Sequence, residues 1–162
     1  MGHGLQKATG AFGGPGIEGF SGAMESMQMR PARRNAYAAG VTETAGGAAL
    51  VLGLFTPLAA ASLIGTMITA IRKVHLSNGP WNTDGGWEYN GTLIAAVASL
   101  AETGPGAVSL DRALGIEKTG PKWALGALAL GAVASTAAIE PGEARPRRRA
   151  RRAGLTTGRA PG

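Results

Sequence analysis

One stretch of the sequence decides the fold: residues 36–71 read AYAAGVTETAGGAALVLGLFTPLAAASLIGTMITAI. These thirty-six residues carry a single charged side chain, Glu43, and Thr56-Pro57 lies near their middle. A bilayer core needs about 20 apolar residues per helix. Thr56 is a suitable N-cap, and Pro57 suits the first turn of a helix, where its missing N–H costs nothing. The stretch therefore predicts two membrane-crossing helices joined by a tight turn.

Two further apolar segments follow the hairpin, and the fold that we predict is an all-α, integral membrane bundle of four helices. The predicted helices cover residues 36–55, 57–75, 87–103 and 121–139. Three aromatic residues in and just after the loop that precedes the third helix suit the headgroup level of a bilayer, where Trp and Tyr are enriched. They are Trp81, Trp87 and Tyr89.

The remaining segments are polar. Residues 1–35 are expected to be a cytoplasmic or interfacial segment with a short amphipathic helix near residues 17–29, and residues 36–139 form the bundle. Residues 140–162 are expected to be a disordered, Arg-rich tail. The loop over 104–118 contains Ser109-Leu110-Asp111, which can open a helical turn.

Basic residues predict the orientation in the membrane. With four crossings, thirteen of the sixteen Lys and Arg residues fall on the side that holds both termini, and seven of these are in the tail. Basic loops are retained in the cytoplasm. We therefore expect a multi-pass protein of the cell membrane with a cytoplasmic C-terminus. The tail arginines are expected to hold this topology and to contact lipid headgroups, and no nucleic-acid partner is predicted.

The composition excludes several kinds of chemistry. The chain has no Cys, which rules out disulfides, iron–sulfur ligation and haem attachment through thioethers. The two His residues are far apart in sequence, so no metal site is predicted. The chain offers no redox centre of its own and no covalently bound cofactor. If it takes part in a redox reaction, it does so as an accessory subunit.

Glu43 is the candidate catalytic residue. It lies roughly 10 Å along its helix from Ala36, where a lipid-exposed carboxylate costs about 2.5 to 3.5 kcal/mol. Ala36, Gly40, Glu43 and Gly47 form a stripe of small residues around it, which predicts that Glu43 faces another helix. One interpretation is a proton acceptor beside a quinone or a similar ligand. The alternative is a structural carboxylate bonded to a neighbouring hydroxyl or His.

A second group of polar residues is predicted at the cytoplasmic end of the bundle. These residues are expected to bind a polar headgroup or a partner, or to relay protons. The alternative is an interfacial ion-pair network that fixes the ends of the helices. The group comprises Arg72, His75, Asp84 and Glu88, with His3 and Lys7 on the same side of the membrane.

Five short motifs occur in an order that resembles the DoxX family of membrane proteins. They are GHGLQK at 2–7, TETAGG at 42–47, LGLFTP at 52–57, DGGWEY at 84–89, and TGPG at 103–106 followed by SLD at 109–111. The resemblance covers residues 2–115. Members usually carry an apolar helix immediately before the first of these motifs, which here follows Met1 directly. We expect a misassigned start codon to explain this, with a degenerate copy as the alternative.

The resemblance implies a small helical bundle in a bacterial or archaeal membrane. The family is named for a subunit of a thiosulfate:quinone oxidoreductase. It therefore implies an accessory membrane subunit of a quinone-linked or oxidative-stress-related oxidoreductase system, with a quinone and soluble oxidoreductase subunits as partners. Homo-oligomerisation is left open. The alternative is a membrane scaffold without a redox or catalytic role. A small transporter is a third hypothesis, for which four short helices with one buried acid make a poor pathway.

Overall fold

All regular elements of the described chain are helical. The computed structural model describes the backbone of residues 1–153 and the side chains of residues 1–139. Within this part of the chain there are seven α-helices and no strand, so the all-α prediction is confirmed. The helices are α1 (Gly2–Thr9), α2 (Gly16–Ser26), α3 (Ala32–Leu52), α4 (Thr56–Ala70), α5 (Glu88–Thr103), α6 (Leu110–Ala113) and α7 (Pro121–Ala153).

The helices α3 and α4 form the predicted hairpin. Gly53 ends α3 in the left-handed region, with φ of 59°, and its N–H donates to the carbonyl of Leu50. A Cβ atom at Gly53 would come within 2.5 Å of the Cβ of Ser109, so only glycine fits this turn. Pro57 lies in the first turn of α4, as predicted from Thr56-Pro57.

The end of α4 is irregular. The helix continues as a π-helical turn over Ile71–His75 and then as a 3₁₀ turn over Leu76–Asn78. A π-helical turn contains an extra residue, which changes the direction of the side chains that follow it. Lys73, Val74 and His75 of this turn face the interior cavity described below.

At the centre of the bundle, α4 packs against α3, α5 and α7. Small side chains allow these close contacts, as in membrane helix packing. A Cβ atom at Gly65 of α4 would lie only 3.1 Å from the carbonyl oxygen of Gly131 of α7. The buried core between these helices consists of Ala60, Ala61, Ile64, Ala101 and Ala127.

The N-terminal segment forms two helices that lie on α3. The predicted helix near residues 17–29 corresponds to α2, whereas α1 was not predicted. Met1 contacts Gly47, and Ala8 contacts Gly40, so α1 runs antiparallel to α3 along the middle of that helix. The helix α1 is therefore part of the bundle rather than a separate segment at its end.

Two helical stretches are long and apolar enough to cross a membrane, namely Thr56–Asn78 and Pro121–Ile139. The first comprises α4 with its irregular end, and the second is the beginning of α7. The described helices α3 and α5 do not meet the same criterion of length and hydropathy.

The last helix extends further than the sequence predicted. We expected Glu140-Pro141-Gly142 to end it at Ile139, but α7 continues to Ala153. The predicted disordered tail falls on residues 140–162. Their side chains, and the backbone beyond Ala153, lie outside the described residues, so the disordered tail stays a prediction.

Candidate functional site

A cavity of about 710 Å³ lies between the α1–α2 layer and the helices α3, α4, α5 and α7. Small-molecule sites typically enclose roughly 300–1,000 Å³, so the cavity is large enough for a ligand. Most of its wall is apolar. Four of the seven predicted site residues line it: His3, Lys7, Glu43 and His75.

Glu43 is buried and paired with a lysine. Its side chain is 5% exposed, and its Oε1 atom accepts a hydrogen bond and forms an ion pair with the Nζ atom of Lys7. The same Nζ atom lies 5.0 Å from the centre of the Phe20 ring of α2. The sequence predicted correctly that Glu43 faces a helix, but it named a hydroxyl or His as the structural partner. The observed partner is a cation on α1.

The contact between α1 and α3 positions this pair. Gly4 lies directly against the Gly40 carbonyl and Thr44, so the two helix backbones approach closely there. His3 and Lys7 are four residues apart and share a face of α1, which places both of them at the cavity. This close approach depends on glycines in both helices.

His75 lines the cavity from the turn that follows α4, at the other end of this helix from the α3–α4 turn. Its Nδ1 atom is 2.7 Å from the carbonyl oxygen of Gly85. Because a carbonyl oxygen only accepts hydrogen bonds, Nδ1 carries the proton. In the neutral imidazole, Nε2 is then the acceptor. The loop after α4 thus fixes the tautomer of a histidine that borders the cavity.

The other three predicted residues lie elsewhere, so the expected convergence at the ends of the helices is only partly observed. Arg72 donates to Thr136 of α7, with its Nη1 atom 3.1 Å from the hydroxyl oxygen. Glu88 accepts a hydrogen bond of 2.9 Å from the backbone N–H of Asn82, and Asp84 is exposed. These three residues do not line the cavity formed by the described residues. Arg72 contacts α7 instead, and Glu88 contacts the α4–α5 loop.

Three asparagines line the cavity, and the sequence analysis missed the two with buried polar atoms, Asn35 and Asn90. Asn90 of α5 is only 7% exposed, and its Nδ2 atom is 3.4 Å from the thioether sulfur of Met67. The Nδ2 atom of Asn35 is buried, with no hydrogen-bond partner among the described residues. The sequence did contain a signal for them, because each is a carboxamide in the first turn of a helix that continues as an apolar segment. Polar residues in such helices often mark functional sites.

The apolar wall is rich in methionine. All five methionines of the chain line the cavity: Met1, Met24, Met27, Met29 and Met67. Thioether side chains are flexible and polarisable, and they adapt to ligands of different shape. This wall, together with Phe20, can hold a planar or branched apolar body.

A second buried carboxylate lies away from the cavity, at the α3–α4 turn. Asp111 of α6 is 1% exposed. It accepts hydrogen bonds from the backbone N–H groups of Phe55 (2.7 Å) and Thr56 (2.9 Å) and from the Thr56 hydroxyl (2.8 Å). Burial raises the pKa of Asp111, but the bonds from Thr56 and Phe55 lower it, and the net pKa lies below its ordinary value. Asp111 therefore caps the start of α4 from a distant part of the chain.

These features define a small helical protein with apolar helices of membrane-spanning length and an interior cavity. Its residues 1–76 match the sequence model of the DoxX family. This matched region runs from α1 to the π-helical turn of α4 and supports the resemblance for the three motifs within it, at 2–7, 42–47 and 52–57. No curated protein matches the chain. The search of solved structures likewise returns no match.

Proposed function

We propose that the chain is an integral membrane protein of the DoxX type that holds a quinone in its cavity. It would serve as an accessory membrane subunit of a quinone-linked or oxidative-stress-related oxidoreductase system. One observation carries this proposal: a largely apolar cavity of about 710 Å³ is lined by the Lys7–Glu43 pair. The apolar body of a quinone matches the apolar wall of the cavity, and its carbonyl oxygens match the polar Lys7–Glu43 pair.

The membrane arrangement that we propose is a four-helix bundle of α3, α4, α5 and α7 with a cytoplasmic C-terminus. Only 28% of each of the two apolar windows is buried inside the protein. The core helix of a soluble protein would bury most of such a window, so the exposed remainder supports contact with lipid. In this arrangement α1 lies at membrane depth, where pairing of Lys7 with Glu43 limits the cost of both charges.

The chemistry that we propose assigns the proton to this chain and the electrons to its partner. The carboxylate of Glu43 borders the cavity and can accept one of the two protons that a bound quinol loses when it is oxidised to the quinone, while the other proton passes to water. Soluble oxidoreductase subunits would receive the two electrons. They would dock at the end of the bundle where Arg72, Asp84 and Glu88 lie, close to the loop that holds His75.

Equilibrium dialysis of the purified protein in detergent with a short-chain ubiquinone analogue tests this proposal. We expect saturable binding by the wild type and about tenfold weaker binding by Glu43→Gln, because the amide has a similar shape but no charge to hold Lys7. Glu25→Gln is the matched control, since Glu25 is exposed and lies outside the cavity. Absence of saturable binding by the wild type would overturn the proposal.

The second candidate function is a membrane scaffold without a redox role. The Lys7–Glu43 pair favours it, because the carboxylate already has a partner within the chain and that contact joins α1 to α3. In this case the wild type would not bind the quinone analogue, and Glu43→Gln would affect only the stability of the fold. The dialysis experiment therefore separates the two functions.

A further inference from the structure

We propose that Asn90 and Asn35 are the residues that recognise the ligand of the cavity, through amide hydrogen bonds to its carbonyl groups. The ligand class is then a neutral, largely apolar molecule with carbonyl acceptors. This inference rests on the proposed ligand-holding function. It adds the two specificity-determining side chains, neither of which takes part in the Lys7–Glu43 pair.

Asn90 is the stronger of the two cases. A carboxamide has two N–H donors and a carbonyl acceptor, and that of Asn90 is more than nine-tenths buried at the cavity wall. Its Nδ2 atom contacts the sulfur of Met67 at 3.4 Å. A thioether is a weak acceptor. The amide therefore retains most of its capacity to donate, and a carbonyl oxygen in the cavity would replace the sulfur as a much stronger acceptor.

Asn35 supplies a second donor to the same cavity. Its Nδ2 atom is buried and finds no acceptor in the part of the chain whose side chains are described. Buried polar groups almost always have a hydrogen-bond partner, and a ligand in the cavity would supply one to Asn35. Asn35 lies in the first turn of α3, and Asn90 lies in the first turn of α5.

The surroundings of the two amides restrict the rest of the ligand. The Met67 side chain lies beside Asn90, and Met24, Met27 and Met29 line the same cavity from the side of α2. The Lys7–Glu43 pair is closed on itself, so it leaves no unpaired charge for a strongly ionic ligand. A neutral carbonyl compound with an apolar body satisfies the amides and the thioether wall together.

A matched pair of probes tests this inference in the full-length protein in detergent micelles. Menadione carries two carbonyl groups on a methylated two-ring system, and methylnaphthalene has the same rings without the oxygens. We expect Asn90→Leu and Asn35→Leu each to weaken menadione binding about tenfold, the value of one buried neutral hydrogen bond. Methylnaphthalene should bind the wild type and both variants within about twofold, because it makes no hydrogen bond.

Asn78→Leu is the control for the same chemical change outside the cavity, since Asn78 is exposed and its amide donates to the Gly85 carbonyl. If a Leu variant unfolds, it loses both probes, and the corresponding Ala variant takes its place. Unchanged menadione affinity in both asparagine variants would overturn the inference and leave the cavity as a binding site. Failure of the wild type to bind either probe would instead overturn the proposed function.

Discussion

The two buried carboxylates of this protein, Glu43 and Asp111, have very different surroundings. Asp111 accepts three hydrogen bonds from the start of α4, two of them from backbone N–H groups. Glu43 has a single described partner, the Lys7 ammonium on a separate short helix. It also borders a large cavity, which Asp111 does not. The hydrogen bonds of Asp111 therefore all stabilise the fold, whereas Glu43 combines one ion pair with a place at the cavity wall.

This difference separates a structural role from a candidate functional one. Backbone donors at a helix N-terminus are fixed in position and favour the ionised carboxylate. The Lys7 ammonium, in contrast, is at the end of a long side chain that is 26% exposed, so its position is less fixed than that of a backbone N–H. Asp111 lies beyond the part of the chain that matches the DoxX family, yet it binds Phe55 and Thr56 within it. The second half of the chain thus stabilises the DoxX hairpin.

Removing Asp111 should give the largest loss of stability. Asp111→Ala leaves three donors without an acceptor, and each buried unsatisfied donor costs about 1 to 3 kcal/mol. Because Phe55 is 56% exposed, we take the low end of this range for each donor and expect a total loss of about 3 kcal/mol. Denaturant unfolding of the detergent-solubilised protein, followed by circular dichroism, measures the change.

Asp84→Ala is the matched control for that experiment, because Asp84 is exposed in the 3₁₀ turn before α5. Its loss should change the unfolding free energy by less than about 0.5 kcal/mol. Equal effects of the two substitutions would mean that the capping bonds of Asp111 contribute nothing specific to the hairpin.

Breaking the Lys7–Glu43 pair should have a smaller effect. In Lys7→Met the carboxylate of Glu43 stays buried without its cation, which costs about 2 kcal/mol here because the lysine is partly exposed. Replacing both residues, as in Lys7→Met with Glu43→Leu, should restore most of the lost stability, since no charge remains buried. A double-mutant cycle measured by denaturant unfolding gives the coupling energy. Additive losses would show that the two residues do not stabilise each other.

The sequence predicted the local features of this comparison and missed the long-range ones. The turn at Thr56-Pro57 and the buried face of α3 follow from local chemistry and from helical spacing, so both could be predicted. The partner of Glu43 is 36 residues away in the chain, on a helix whose eight residues show no strong apolar pattern. Asp111 is 55 residues from Thr56, and no local rule connects them.

Arg72 was misplaced for a different reason. The prediction assumed a regular helix to residue 75, whereas the chain forms a π-helical turn from Ile71 to His75. The extra residue in that turn changes the phase of the side chains, and Arg72 reaches the hydroxyl groups of α7. The cavity asparagines were missed because burial of a carboxamide depends on which helices meet around it, and a single sequence does not give that arrangement.

The smallest expected effect is the pH dependence of the Asp111 contribution. The net pKa of Asp111 in the folded protein lies below its ordinary value of 3.8. A carboxyl group with a lowered folded pKa adds stability that is fully present above its ordinary pKa. This stability is lost as the pH falls through the lower, folded value, because the unfolded chain takes up the proton first. Asp111→Asn cannot ionise and lacks this dependence.

We therefore expect the difference in unfolding free energy between the wild type and Asp111→Asn to shrink as the pH is lowered from about 6 to about 2.5. The wild type should lose more stability than the variant over this interval. Above the interval the wild type should be the more stable of the two, and equal stability there would mean that the carboxylate is dispensable. Asp84→Asn controls for the loss of one exposed carboxylate. A constant difference between wild type and Asp111→Asn throughout this pH range would show that the hydrogen bonds at the α3–α4 turn do not depend on the charge of Asp111. The contrast with Glu43, whose partner is a cation, would then rest on hydrogen-bond geometry alone.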